Sequence, residues 1–275
     1  MALLAILASS LSEQTMAQQR PSNVDKANTF TVSYGAVLAW NPSHPGDDER
    51  RVSLFPSISY EYGEHFFFSV REGIGYRQAM SNRLTLGLAV RPQFGRQEDG
   101  NNNFALTGED SRDLIGLGDI DLVPAVRAFA RYRIGALTLS ADVDRAIGEH
   151  DGVIIDVSLR YSTRYMGLGP PLILSFGPQI TYTDDSYTQA YFGIDAAQSE
   201  RSGLSVYEAG GGVNRAGVAA TVILPVTRRW TSTLIVNLSR QQGDAADSPI
   251  VTERGDDFQP FVGLGLSYSF TRPID

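Results

Sequence analysis

Residues 259–270 read Gln-Pro-Phe-Val-Gly-Leu-Gly-Leu-Ser-Tyr-Ser-Phe, and their side chains alternate without a break between the two faces of a β-strand. One face is wholly apolar and carries Pro260, Val262, Leu264, Leu266, Tyr268 and Phe270. The opposite face is mostly small or polar, with Gly263, Gly265, Ser267 and Ser269. A soluble sandwich would turn the apolar face onto a core. Here the same pattern recurs along most of the chain with long polar connections between, which indicates a closed barrel whose apolar faces contact lipid.

The predicted fold class is therefore all-β, a transmembrane antiparallel up-and-down β-barrel. Many alternating segments have about the 9–11 residues that a tilted spanning strand needs. Long polar connections alternate with short ones, as external loops and periplasmic turns do. Eleven strands are clear, whereas chain ends on one side of the membrane require an even number. Dividing Phe66–Met80 into 66–71 and 74–80 predicts about twelve strands, with ten as the fallback.

Composition excludes several classes of protein. The 275 residues include no cysteine, so neither a disulfide nor a Cys-based metal site can form. The net charge of −8 argues against a nucleic-acid partner, whose binding surface would be basic. Mean hydropathy is −0.14, too polar for a helical membrane protein. The acidic residues fall largely in loops, where they are solvated or bridge to lipopolysaccharide through divalent cations.

Four segments are predicted along the chain. Residues 1–17 resemble a signal peptide with a short apolar region and a small-residue cleavage site, although a positive first segment is missing. Residues 18–28 are polar and are predicted to be a disordered periplasmic N-terminus. The barrel is predicted over residues 29–270, and residues 271–275 form a C-terminal tail.

A lattice of opposite charges is predicted on the strand faces that point away from lipid. A two-residue turn at Gly135-Ala136 would put Arg127 directly opposite Asp144 and Arg131 diagonal to Asp142. Unpaired charges on the lipid face would cost a few kcal/mol each, so this face is predicted to line the lumen. The lattice is interpreted as an interior brace, with a selectivity filter for charged solutes as the alternative. Its predicted members lie on three neighbouring strands and are Arg127, Arg131, Asp142, Asp144, Asp156 and Arg160.

Several short segments carry a resemblance to a known family. They are 59–63 (Ser-Tyr-Glu-Tyr-Gly), 116–121 (Gly-Leu-Gly-Asp-Ile-Asp), 191–194 (Tyr-Phe-Gly-Ile), 198–204 (Gln-Ser-Glu-Arg-Ser-Gly-Leu), 207–210 (Tyr-Glu-Ala-Gly) and 243–251 (Gly-Asp-Ala-Ala-Asp-Ser-Pro-Ile-Val). Each is short, and the last is the most specific. In their order and spacing, over roughly residues 30–270, they resemble the MipA/OmpV family, the MltA-interacting proteins of Gram-negative outer membranes.

The resemblance implies an outer-membrane barrel that anchors or couples peptidoglycan-remodelling enzymes, a lytic transglycosylase and a murein synthase. The implied partners are outer-membrane lipid and lipopolysaccharide, together with a periplasmic murein hydrolase and a murein synthase. A narrow porin for small polar solutes and an outer-membrane adhesin are the alternatives. The resemblance implies no catalytic residue and no cofactor.

The sequence predicts neither enzymatic activity nor a metal site. His150 lies between Glu149 and Asp151, but no nucleophile is indicated by the sequence, and adjacent residues do not converge on one ion without help. Asp119 and Asp121 share a strand face, yet glycosidase chemistry needs a fixed separation across a cleft. Solvated loop residues are the favoured interpretation for all of these groups.

Overall fold

A computed structural model of the protein describes residues 28–99, 104–107, 112–148, 151–167 and 170–274. The β-strands, in chain order, are β1 (Thr29–Pro42), β2 (Arg50–Tyr62), β3 (Phe66–Ser69), β4 (Gly73–Ala79), β5 (Leu84–Gln93), β6 (Ala105–Thr107), β7 (Val123–Ile134), β8 (Leu137–Ala146), β9 (Val153–Tyr165), β10 (Leu172–Thr183), β11 (Gly212–Pro225), β12 (Trp230–Gln241) and β13 (Phe258–Pro273). Four short helices are α1 (Asp185–Phe192), α2 (Ala196–Ser202), α3 (Gly243–Asp247) and α4 (Pro249–Thr252).

Twelve of these strands form a closed antiparallel barrel, which confirms the predicted fold class and strand number. Each strand pairs with its sequence neighbours except across β6, where β5 pairs directly with β7. The barrel closes between the first and last strands, from Thr29 opposite Pro273 to Trp40 opposite Val262. The division of Phe66–Met80 into two short strands is also confirmed, with the break at residues 70–72.

β3 is so short that part of β2 has no neighbouring strand on the side opposite β1. β6 pairs with β2 in part of this gap. β3 pairs with β2 only from Ser59 to Tyr62. β6 pairs with the opposite end of β2, at Val52 and Ser53. The Phe104 carbonyl accepts a hydrogen bond from the Leu54 amide at 2.8 Å. The long β5–β7 connection thereby adds to the wall beside β2, a role that its sequence did not indicate.

The apolar and polar faces lie as the alternation predicts. Large apolar side chains such as Leu38, Ile58, Leu88 and Leu264 are exposed on the outside of the barrel, where lipid surrounds a spanning barrel. Polar side chains on the opposite faces are buried in the lumen. Outward-facing aromatic rings collect near the end that carries the short turns, as an interfacial girdle does: Tyr60, Tyr62, Tyr76, Tyr132, Tyr161, Trp230 and Tyr268.

Side chains fill much of the lumen, and a cavity of about 170 Å³ remains beside β1, β2, β12 and β13, lined by Ser33, Val37, Arg71, Thr233 and Ser267 among others. On one side an apolar cluster consists of Ala39, Phe55, Ala219, Ile235 and Phe261, and Phe104 packs against it. Elsewhere Phe67 and Phe129 extend their rings across neighbouring strands. These rings occupy the space that a Cβ at Gly75 or Gly87 would need. Glycine on these lumen faces therefore makes room for a neighbouring aromatic ring.

The chain ends differ from the predicted boundaries. β13 runs three residues beyond Phe270, because Thr271–Pro273 pair with Thr29–Thr31 of β1. The Ile274 amide then donates to the Asn28 carbonyl at 2.8 Å. The predicted tail thus begins as barrel strand, since a neighbouring strand is available to hydrogen-bond it. The predicted signal peptide and residues 18–27 lie outside the described residues.

All four helices lie in the long connections. α1 and α2 follow β10, and α3 and α4 follow β12. Among the described residues, no helix is long and apolar enough to cross a membrane. Outer-membrane barrels place short turns in the periplasm and long loops outside. We therefore assign the helical connections to the external end and both described chain ends to the periplasmic end.

Candidate functional site in the barrel interior and at its two ends

An ion-pair network crosses the lumen between β5, β7 and β8. Arg127 lies opposite Asp144 in the strand register. Its Nε and Nη2 donate to the two carboxylate oxygens at 2.8 and 2.7 Å. Arg131 donates through Nη2 to Asp142 Oδ1 at 2.6 Å. All four side chains are buried, and bidentate geometry of this kind is what offsets the cost of taking charges out of water.

The other two residues of the predicted lattice bind different partners. Asp156 lies opposite Asp142 in the register and accepts a hydrogen bond from Thr181 Oγ1 at 2.6 Å. Arg160 donates to the Gly177 carbonyl at 2.6 Å and to Gln179 Oε1 at 2.7 Å. Four predicted residues therefore share one ion-paired network. Asp156 accepts its hydrogen bond from Thr181 and also interacts electrostatically with Arg215, whereas Arg160 is held by neutral polar groups.

Arg91 belongs to the network but was not among the predicted residues. Its Nη1 lies 3.5 Å from Asp144 Oδ2, so Asp144 bridges two arginines. The apolar residues of β5 alternate along the strand, and Arg91 lies on the opposite face, which points into the lumen. The sequence does indicate this orientation. The sequence does not indicate the partner of Arg91. A long connection follows β5, so no local turn sets the register between β5 and β7.

Little free space remains beside this network. A cavity of about 20 Å³ is lined by charged groups of the lumen and lies beneath Tyr187 of α1. A space of this size holds about one water molecule. The charged residues around it are Arg91, Asp144, Asp156 and Arg215.

The external connections fold over the lumen as a cap with its own hydrophobic core. We use "cap" for the described residues of the connections 43–49, 94–122, 184–211 and 242–257. One apolar cluster contains Tyr187, Tyr191, Phe192, Ala209, Ala245 and Val251. A second contains Leu114, Leu117, Ile194, Leu204 and Ile250. Because each cluster joins residues from different connections, the cap is one packed layer.

Hydrogen bonds to main-chain groups hold the cap connections to one another and to the barrel rim. The Tyr191 hydroxyl donates to the Phe94 carbonyl at 2.9 Å, and Ser248 Oγ donates to the Phe192 carbonyl at 2.6 Å. Arg96 donates to the Tyr191 carbonyl. Burial raises the pKa of the Tyr191 phenol and lowers the pKa of Arg96 to about 10. The phenol stays neutral and the guanidinium stays charged at neutral pH.

Most of the segments that carried the family resemblance meet in this cap. Segment 198–204 is largely α2, and segment 243–251 forms α3 and most of α4. The Gln198 side chain donates to the Leu117 carbonyl at 2.7 Å, which joins α2 to segment 116–121. A Cβ on Gly116 would lie 2.7 Å from the α2 backbone at Arg201. The glycine therefore permits close packing of two connections that are far apart in sequence.

The periplasmic end has short turns and a different charge. Six exposed arginines lie there, on the turns and strand ends: Arg83, Arg133, Arg164, Arg228, Arg229 and Arg272. Glu64 is the one exposed carboxylate among the described residues of these turns and strand ends. Arg133 lies on the same strand face as the lumen residue Arg131. The main-chain amide of Arg133 donates a hydrogen bond to the Arg83 carbonyl at 2.8 Å. We call the six exposed arginines the arginine rim.

Among the described residues, the histidines and carboxylates that could act in catalysis do not come together in an active site. Asp119 accepts a hydrogen bond from the Glu98 amide at 2.8 Å, so it holds a loop. His65 lies in a periplasmic turn with Nδ1 3.0 Å from the Arg77 carbonyl. His44 is buried in the cap, and burial lowers its pKa to about 4. His150 and Glu149 lie outside the described residues.

Comparison with known proteins identifies relatives over nearly the whole chain. The family model described as "MltA-interacting protein MipA" matches residues 34–270. The protein named "Putative outer membrane protein YiaT" is 25% identical over 246 residues in both Escherichia coli O157:H7 and Escherichia coli strain K12. Each alignment covers 89% of this chain and 93% of the relative.

Similar solved structures are outer-membrane proteins. OprB of Pseudomonas putida is 15% identical with a TM-score of 0.38, over 80% of this chain and 59% of OprB. The outer membrane protein OprD of Pseudomonas aeruginosa is 11% identical with a TM-score of 0.37, over 88% of this chain and 65% of OprD. In both cases the match spans less than two thirds of the longer protein.

Proposed function

Because the chain belongs to the family of MltA-interacting proteins and is an outer-membrane β-barrel, we propose that it anchors peptidoglycan-remodelling enzymes at the inner surface of the outer membrane. In this role the barrel is the membrane support, and the periplasmic end is the docking surface. The partners are a lytic transglycosylase of the MltA kind and a murein synthase. The barrel contributes binding and position, with no reaction of its own.

The observation that carries this proposal is the arginine rim. Six exposed arginines against a single exposed carboxylate among the described residues create a basic surface at the end that faces the periplasm. Guanidinium groups pair with carboxylates in bidentate geometry and remain charged at every physiological pH. No ion pair joins Arg83, Arg133 or Arg164 to any described carboxylate, so their charge is available to a partner with an acidic surface.

Packing within the lumen and the cap above it support docking over transport. The ion-pair network and the apolar cluster occupy the barrel interior, and the cap covers its external end. A pore needs a continuous polar path, and the charged groups that would line it are paired with one another. The narrow-pore alternative requires the cap and the network to rearrange together.

The proposal is tested by direct binding between purified proteins. The full chain in detergent is immobilised and exposed to a purified MltA-type lytic transglycosylase at low and high salt. We expect saturable binding that weakens as salt screens the rim charges. The double variant Arg83→Glu/Arg133→Glu should bind at least about tenfold more weakly, since like-charge contacts replace attractive ones.

A matched control changes the same number of arginines at the external end. Arg145 and Arg240 are 66% and 61% exposed there, each beside an aspartate. Arg145→Glu/Arg240→Glu should bind the enzyme like the unchanged protein. Equal weakening in both double variants would contradict the assignment of the docking surface. Strong single-channel currents together with no enzyme binding would overturn the anchor function and favour the porin.

A further inference from the structure

Three potential metal ligands converge inside the cap. The side chains of His44 and Asp47 from the β1–β2 connection meet Asp113 from the β5–β7 connection. One imidazole nitrogen and one oxygen from each carboxylate all lie within 4.8 Å of one another. His44 is 5% exposed, Asp47 is 0% exposed and Asp113 is half-buried, so two of the three ligands are shielded from bulk water. The sequence indicated no such site, because Asp113 is remote from the other two residues along the chain.

The imidazole of His44 is oriented as in metal-binding histidines. Its Nδ1 lies 3.1 Å from the Pro45 carbonyl oxygen. A carbonyl oxygen only accepts hydrogen bonds, so Nδ1 carries the proton of the neutral ring and Nε2 keeps its lone pair. Nε2 faces Asp47 Oδ2 at 3.7 Å. A second-shell carbonyl of this kind is what fixes the tautomer of a histidine ligand.

The carboxylate of Asp47 and the main chain at Asp113 are held in place before any ion binds. Asp47 accepts main-chain hydrogen bonds from Glu49 at 2.8 Å and from Ser43 at 3.2 Å. The main-chain carbonyl of Asp113 accepts from Arg254 at 2.8 Å. Binding a cation therefore needs little further ordering of the backbone, and preorganisation of this kind favours affinity.

We propose that His44, Asp47 and Asp113 bind a divalent first-row transition metal, of which Zn²⁺ is the best match. Two carboxylates this close, one of them fully buried, repel each other, and a divalent cation between them removes that repulsion. The imidazole nitrogen favours Zn²⁺ over Ca²⁺ and Mg²⁺, which prefer oxygen ligands alone. Three protein ligands leave a fourth tetrahedral position for water. The ion would join two connections of the cap that are far apart in sequence.

The test is a metal titration of the full chain, purified in detergent without a histidine tag and stripped with a chelator. Co²⁺ serves as the visible probe, and Zn²⁺ is then added in competition. We expect one tight site with the absorption of tetrahedral cobalt. His44→Ala and Asp113→Asn should each lower affinity at least about 100-fold, since losing a ligand exceeds the usual loss of a second-shell partner.

The chain contains three histidines, which supplies a sharp control. His65→Ala/His150→Ala leaves His44 as the last imidazole and should retain full cobalt affinity and its spectrum. Heat-dependent mobility on gels checks that each variant is a folded barrel. The proposal is overturned if the unchanged protein binds no Co²⁺ at millimolar concentration, or if the His65→Ala/His150→Ala protein loses the site. It is also overturned if folded His44→Ala binds as tightly as the unchanged protein.

Discussion

The external and periplasmic ends of this barrel differ in both packing and charge. The five connections at the external end carry 19 described carboxylates against four arginines, and four of these connections fold into a cap with two apolar clusters. The periplasmic end has short turns, six exposed arginines and one exposed carboxylate. Long connections can pack over the lumen, whereas two- to six-residue turns cannot. The external end is therefore closed by packed connections, whereas the periplasmic end exposes basic side chains.

If closure depends on the buried network, removing its central carboxylate should have the most severe consequence. Asp144→Ala leaves Arg127 and Arg91 buried without their shared partner, and we expect a loss of about 3–5 kcal/mol. Denaturant unfolding in detergent measures it. The neighbouring substitution Arg145→Ala, at an exposed pair, should change stability by no more than about 0.5 kcal/mol. Similar losses in both variants would mean that the network does not brace the lumen.

The cap's own core offers the next test. Ile250→Ala removes a fully buried side chain from the second apolar cluster, and we expect the cap to lose about 2–4 kcal/mol. Protease cleavage at cap arginines should accelerate while the barrel keeps its heat-dependent gel mobility. Leu264→Ala, on the lipid face, provides the comparison and should leave cleavage unchanged. Loss of the folded barrel in Ile250→Ala would show that cap and barrel are not separable.

Two glycines in one segment separate backbone strain from close packing. Gly116 and Gly118 both have positive φ, of 87° and 79°. An added Cβ would collide with α2 at Gly116 and would meet nothing within 4 Å at Gly118. Gly118→Ala should cost about 1–2 kcal/mol from strain alone. Gly116→Ala should lower the stability of the cap by about 1 kcal/mol more, because of the collision with α2. The rate of protease cleavage in the cap measures both losses. Equal costs would place segment 116–121 away from α2.

The mildest effect on stability is expected at the periplasmic end. Arg83→Glu/Arg133→Glu changes exposed side chains that are not ion-paired, so unfolding should shift by no more than about 0.5 kcal/mol. The same denaturant experiment measures it. A large loss of stability would assign the rim to folding and would remove the distinction between the two ends.

How far the sequence could predict each element depended on the length of its connections. The split of Phe66–Met80 followed from parity, and the position of Arg127 opposite Asp144 followed from a two-residue turn. Where connections are long, register and partners were undetermined, which is why Arg91 was missed. Asp156 and Arg160 were predicted in the ionic lattice, and their side-chain hydrogen-bond partners lie on β10. The cap helices were not predicted, because each is only two turns or shorter and is stabilised by partners from other connections.

By itself, the sequence determined the number of barrel strands and which face of each strand meets lipid. The lipid face follows from the two-residue period of a β-strand, which is local and survives without knowledge of distant contacts. The strand number also required both chain ends to lie on one side of the membrane. Only the tertiary structure decided what fills the lumen, how four connections pack as one cap, and that His44, Asp47 and Asp113 meet. Those contacts join residues separated by long loops, whose paths are set by burial of apolar groups rather than by any local pattern.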